Sequence, residues 1–165
     1  MPLDAPNGTA CFIDANIFYY HFVETPPLSQ SCSDLLERVA DGSVQAVTSA
    51  HLLAEMMHKV MVAEAASRFS LACASLVNWL QHHRERIAEL DEFRQSVAEV
   101  RALPRTVLTP DVTTITLAAD VAKKESLLTN DALTVALMRR DGVAHLATND
   151  DDFDAVAGIT VWKPR

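Results

Sequence analysis

Glycine is scarce in this sequence: four residues in 165, beside seven prolines and three cysteines. So little glycine and proline excludes a collagen-like, linker-rich or disordered protein. Cys11, Cys32 and Cys73 are odd in number, form no C-x-x-C pair and have no flanking histidine pattern, so no disulfide framework is expected; they read as small buried apolar residues in a reducing cytosol. No stretch approaches the roughly 20 apolar residues of a membrane span. Met1-Pro2-Leu3-Asp4 has neither the basic region nor the apolar run of a secretory signal. The expectation is a soluble, cytoplasmic protein with no membrane partner. Positive charge is also short, with 14 Lys and Arg against 22 Asp and Glu, for a formal net charge of -8. Binding nucleic acid through a general basic coat is thereby excluded, because such affinity rests on Lys and Arg. A nuclease is not, since acids that bind metal contribute charge that cations offset.

What is present is apolar and regularly spaced. Apolar residues make up 49% of the chain, enough for one sizeable core in a single domain of 165 residues. Residues 1–9 read as a tail. Ala10 to Asp14, Val44 to Thr48, Thr106 to Thr109, Val143 to Thr148 and Ile159 to Trp162 read as short strands. Between them lie helical patterns: Ile17 to Val23, Ser31 to Ala40, a helix capped by Ser49, one opened by Pro110-Asp111 and one running to Arg140. From about 64 to 103 the apolar residues recur at helical spacings with no glycine or proline, which predicts two long helices as an antiparallel pair. Strands alternating with helices imply an α/β fold whose parallel sheet is covered on both faces.

Acids stand where strands end. Asp14 follows Cys11-Phe12-Ile13, Asp131 follows Thr129-Asn130, and Asp150, Asp151 and Asp152 follow Leu146-Ala147-Thr148-Asn149. Each has a plainer reading. Asp14 suits an N-cap, Asp131 suits the first turn of a helix, and Asn and Asp are common turn formers. Glu55 is harder to explain away, because Leu52, Leu53, Met56 and Met57 surround it; it faces outward or meets a cation or donor. Carboxyl ends of parallel strands form the ligand crevice. Acids converging there suggest a hard divalent cation held by oxygen.

Taken together these segments resemble the PIN-domain family, and within it the VapC-like toxin ribonucleases. The resemblance rests on Phe12-Ile13-Asp14-Ala15-Asn16, Ser49 to Glu55, Thr129-Asn130-Asp131-Ala132-Leu133, Ala147 to Phe153, and a closing Gly158 to Pro164. It implies a three-layer α/β/α fold with a central parallel sheet, extended here by the helical pair. It also implies an acidic quartet of Asp14, Glu55, Asp131 and Asp150, with Asp152 as an auxiliary acid and Asn16 and Thr148 as polar supports. The implied activity is Mg²⁺- or Mn²⁺-assisted hydrolysis of RNA phosphodiesters, with Asp14 and Asp150 as direct ligands and Glu55 and Asp131 orienting or deprotonating water. A small antitoxin protein and a homodimer are the implied partners.

Three rivals stand beside this reading. One is a housekeeping RNA-processing nuclease of the same family, and another a PIN-like module that binds RNA or protein without cutting. The third is a HAD-like phosphatase, which requires a second Asp two positions after the first, where this chain has Asn16. His21, His51, His58, His82, His83 and His145 lack zinc spacing and read as surface or packing residues. Basic groups able to meet phosphate are sought among Arg84 and Arg86, Lys123 and Lys124, Arg139 and Arg140, and Lys163 with Arg165.

Overall fold

Cys11, Phe12 and Ile13 are each fully buried, as expected of a strand covered on both faces. They belong to β1 (Ala10–Ile13), the central strand of a five-stranded parallel sheet in the order β3-β2-β1-β4-β5. The others are β2 (Gln45–Ser49), β3 (Arg105–Leu108), β4 (His145–Ala147) and β5 (Thr160–Trp162). The computed structural model describes residues 3–5 and 7–165, apart from the side chains at 73 and 74. Cys73 therefore lies outside the described side chains, while Cys11 and Cys32 are free, buried thiols. Burial pushes both up to about 12, so they stay protonated and behave as apolar residues.

Among the described residues seven α-helices join the strands: α1 (Ala15–Phe22), α2 (Leu28–Ala40), α3 (Ala50–Phe69), α4 (Cys73–His82), α5 (Glu92–Ala102), α6 (Val112–Glu125) and α7 (Thr129–Asp141). The chain steps from β1 outward to β2 and β3, then returns to the other side of β1 for β4 and β5. With right-handed crossovers, that reversal puts α1 to α5 on one face and α6 and α7 on the other. The packing agrees: α1 lies on α2 and α3, α3 on α4 and α5, and α6 on α7. The result is the three-layer α/β/α arrangement expected from the sequence. In α7, Ala132, Thr134, Val135, Ala136, Leu137 and Met138 are all buried, so this helix is a core element rather than a surface one.

β4 is shorter than the apolar run from Val143. The amide of Val143 closes the end of α7 by bonding the Met138 carbonyl (2.9 Å), with Gly142 in the left-handed region (φ 69°), so pairing starts only at His145. The expected tail is anchored where it is described. Gly8 N bonds Ser43 O (2.8 Å), Gln45 N bonds Thr9 O (3.2 Å), and the Arg38 guanidinium holds the Ala5 carbonyl and Asn7 Oδ1.

The helical middle contains α4 and α5, shorter than the sequence pattern predicts because α3 runs on to Phe69 and a 3₁₀ segment, Arg84–Glu89, intervenes. Both helices pack principally on α3. Ala65, Leu76, Leu80 and Leu90 form a second buried cluster beneath them. Glu64 fixes the return of the chain: the residue is 6% exposed and its carboxylate accepts from the amides of Asp91 (2.6 Å) and Phe93 (3.2 Å). Two donors at the start of α5 thus satisfy a buried charge on α3.

Candidate active site

The register sets the site. Ile13 lies opposite Ala147, so Asp14 after β1 and Thr148 after β4 leave the sheet side by side at its carboxyl edge. The strand order reverses between β1 and β4, which is where ligands bind in open parallel sheets.

Asp14 is 8% exposed and does cap α1, its Oδ1 accepting from Ala15 N at 2.6 Å. The capping role leaves Oδ2 facing the neighbouring strand. That oxygen accepts from Asn16 Nδ2 (2.6 Å) and from Thr148 Oγ1 (2.5 Å). Asn16 also donates to Thr148 Oγ1 (2.9 Å) and accepts from Asn149 N (3.1 Å). Thr148 Oγ1 accepts from Asp150 N (3.0 Å) as well. Asn16 and Thr148 therefore tie the ends of β1 and β4 into one polar network. Burial pushes the Asp14 carboxyl above its ordinary range and Glu55 adds to that, while the bonds from Thr148 and Ala15 and the charge of Lys59 pull it back.

Asp150 Oδ1 accepts from Asp152 N at 2.9 Å, capping the short 3₁₀ turn Asp151–Phe153. That turn brings the Asp152 carboxylate back toward Asp150. Asp131 in the first turn of α7 completes the group: one carboxylate oxygen from each of Asp131, Asp150 and Asp152 lies within 4.8 Å of the others. Asp131 is pushed up to about 6, by burial first and then by Asp150, Asp14, Asp152 and Glu55. Like charges crowd it, and a cation relieves them. Oxygens on one Mg²⁺ at about 2.1 Å are at most ~4.2 Å apart, so small side-chain shifts bring these three onto a single ion. The donor set fits Mg²⁺ or Mn²⁺. Asp151, in contrast, is 90% exposed at its side chain and pairs with Lys163, which also holds Asp154.

Glu55 stands at the rim, in the second turn of α3. Its Oε1 meets Lys59 Nζ at 2.8 Å, and its Oε2 accepts a long bond from Asn130 Nδ2 (3.4 Å), one residue before Asp131. It lies outside the group of three, but its charge is felt at both Asp14 and Asp131.

Two residues here escape the sequence reading. Lys59 is the basic side chain whose charge reaches Asp14, and its signal is the i, i+4 spacing from Glu55. Arg139 and Arg140 are committed elsewhere, to Glu125 (2.7 Å), Asp141 (2.7 Å) and Thr114 (2.8 Å). His51 bridges two layers: Nδ1 meets Ser49 Oγ at 2.8 Å and Nε2 meets Thr134 Oγ1 at 3.3 Å. It ties α3 to α7, one turn before Glu55 and about one turn after Asp131, and burial lowers its basicity. Nothing in its sequence neighbourhood announces that bridge.

A doubly covered parallel sheet with acids gathered at its switch point defines an α/β protein whose candidate site lies at that edge. The chain belongs to the PIN domain family, whose sequence profile matches residues 11–159. Comparison with curated proteins finds no sequence relative. Solved structures share the fold. VapC20 of Mycobacterium tuberculosis, described as a sarcin-ricin loop cleaving toxin, superposes with a TM-score of 0.62 at 16% identity, covering 91% of this chain and 96% of its own. The VapBC2 structure from Rickettsia felis, bound to a DNA fragment from its promoter, gives 0.59 at 13% identity over 95% and 100% of the two chains. A protein from Pyrobaculum aerophilum gives 0.53 at 13% over 93% and 90%. At such identities the likeness is one of fold.

Proposed function

We propose that this chain is a metal-dependent endoribonuclease and the toxin half of a type II toxin–antitoxin pair. The observation that carries the reading is the convergence of Asp131, Asp150 and Asp152 within 4.8 Å, beside buried Asp14 at the switch point of the sheet. Membership in the PIN family and a fold shared with VapC20 and VapBC2 support it.

Asp131, Asp150 and Asp152, with Asp14 and Glu55 bordering them, are the residues that would hold Mg²⁺ or Mn²⁺. Such an ion supplies a strong nucleophile at neutral pH and offsets charge on the departing oxygen. The protein's own part is positional. Asn16 and Thr148 fix the Asp14 carboxylate, and the cap from Asp150 to Asp152 N fixes the late acids. Asp131 would orient the attacking water or accept its proton; its push up to about 6 belongs to the cation-free site and lessens when an ion offsets the neighbouring carboxylates. The water oxygen forms the new bond to phosphorus and the leaving ribose oxygen departs with the pair of the broken P–O bond. A small antitoxin protein as partner, a homodimeric state and cytoplasmic location complete the proposal. Among the described residues no helix is long and apolar enough to cross a membrane.

The test is cleavage of bacterial RNA by the purified chain with Mg²⁺ or Mn²⁺ and with EDTA. Products only with the cation are expected; equal cutting in EDTA refutes the metal reading, and no cutting with either ion refutes the nuclease. Growth arrest on expression, relieved by a short adjoining reading frame, separates the toxin from an RNA-processing enzyme.

A further inference from the structure

Beside the acids, on the face made by α1, α3 and α4, is a recess of about 370 Å³ lined by Asn16, Tyr19, Tyr20, His58, Lys59 and Val77, among others. Small-molecule sites begin at about 300 Å³ and combine apolar walls with a few placed polar groups. This recess has that make-up. Val62, Ala63 and Val77 supply its apolar part, and Tyr19 and Tyr20 meet edge to face, their centroids 5.5 Å apart. One end is continuous with the acidic site, because Asn16 both lines the recess and donates to Asp14 Oδ2. The Tyr20 hydroxyl receives Asn149 Nδ2 at 3.3 Å, so the aromatic wall is fixed to the loop that follows β4.

The charged side chain lining this recess is Lys59. In a chain of net charge -8, Lys59 brings a cation to the boundary between the acids and the aromatic wall. Its side chain is 42% exposed and its Nζ pairs with Glu55 at 2.8 Å. An aromatic and apolar recess with one lysine at its mouth, next to a site for phosphodiester chemistry, matches a nucleotide: a flat base and the phosphate attached to it.

Resting on the nuclease reading above, we propose that this recess is a base-binding subsite. It takes one unpaired base of the RNA strand whose neighbouring phosphodiester lies over Asp14, Asp131 and Asp150, with Lys59 against the strand's phosphate. A base engaged in a duplex cannot present its face to tyrosine. The subsite therefore selects single-stranded or looped RNA.

The test measures binding by fluorescence anisotropy, with Mg²⁺ and without turnover in an Asp150→Asn background. The probes are labelled single-stranded RNA octamers of mixed sequence, the same octamers in duplex, and an octamer of abasic ribose phosphate. Val77→Trp fills the recess from α4, at a position 42% exposed, without touching an acid. His58→Ala, at an exposed lining position, is the second variant, and melting curves verify that both are folded. Val77→Trp is expected to weaken binding of the single-stranded octamers about tenfold, within the ~10- to 100-fold span of one stacked base. Abasic and duplex probes are expected to bind weakly to all forms, within twofold of one another. Equal affinity of Val77→Trp and the parent for single strands overturns the subsite. So does a Val77→Trp protein that binds RNA normally but no longer binds a co-expressed antitoxin, which assigns the recess to protein. Absence of RNA cleavage by the unaltered chain refutes the nuclease, while the anisotropy comparison still decides the recess.

Discussion

Glu64 is buried and Asp131 half-buried, and the protein treats these two acids in opposite ways. Glu64 sits between α3 and the start of α5 and receives two backbone amides at 2.6 and 3.2 Å. Asp131 sits at the carboxyl edge of the sheet among Asp150, Asp14, Asp152 and Glu55, and is pushed up to about 6. The first charge is satisfied by the fold and serves the fold. The second is left in electrostatic debt by the fold, the usual mark of a site arranged for something outside the chain.

Breaking the second region has the largest expected effect. Asp14→Asn keeps the cap on α1 but removes the charge at the switch point; RNA cleavage is expected to fall by at least ~10³-fold, about 4 kcal/mol of barrier. Cleavage rates on protein of unchanged circular dichroism check this, and full activity would remove Asp14 from the chemistry.

Adding a cation probes the same region through stability. At pH 7.5, Mg²⁺ at 100 times its Kd stabilises by about 2.7 kcal/mol, which raises Tm by several degrees. The increment shrinks as pH falls through about 6, where Asp131 gains its proton. Without cation the sign reverses. The Asp131 pKa is higher folded than unfolded, so the folded chain holds more protons between about 4 and 6, and stability falls as pH rises through that window. Asp131→Asn is expected to flatten that dependence and reduce the Mg²⁺ response. Melting curves over pH, with and without Mg²⁺, separate the two.

Glu64 gives the counter-case. Glu64→Ala leaves two amides at the start of α5 unsatisfied and costs about 2 kcal/mol, while the Mg²⁺ shift stays as in the parent; denaturant unfolding measures both. An altered cation response would mean that the two regions are coupled. The smallest effect concerns the end of α6. Ser126 ends α6 at φ 61°, a conformation that glycine adopts without strain. Ser126→Gly should gain up to about 1 kcal/mol, with no change in cleavage.

Much of this was legible before any coordinates. The buried run Cys11-Phe12-Ile13 and the helix starts at Ser49 and Asp111 mark elements that the structure contains. The helical middle was less so, since periodicity says that residues 64–103 are helical but not that Ser70 breaks the run or that α4 and α5 both seek α3. Apolar spacing describes a face, and several neighbours can cover the same face.

The sequence by itself determined the alternation of strand and helix and the chemical character of the strand ends, because these depend on residues close together in the chain. Which acids come together was decided only in three dimensions. Parallel pairing of β1 with β4 puts Asp14 beside Thr148, the turn after Asp150 brings in Asp152, and α7 arrives from the other face with Asp131. Lys59 and His51 acquire their places in the same way. Electrostatic energy depends on distance through space, and only the packed sheet and its helices set that distance.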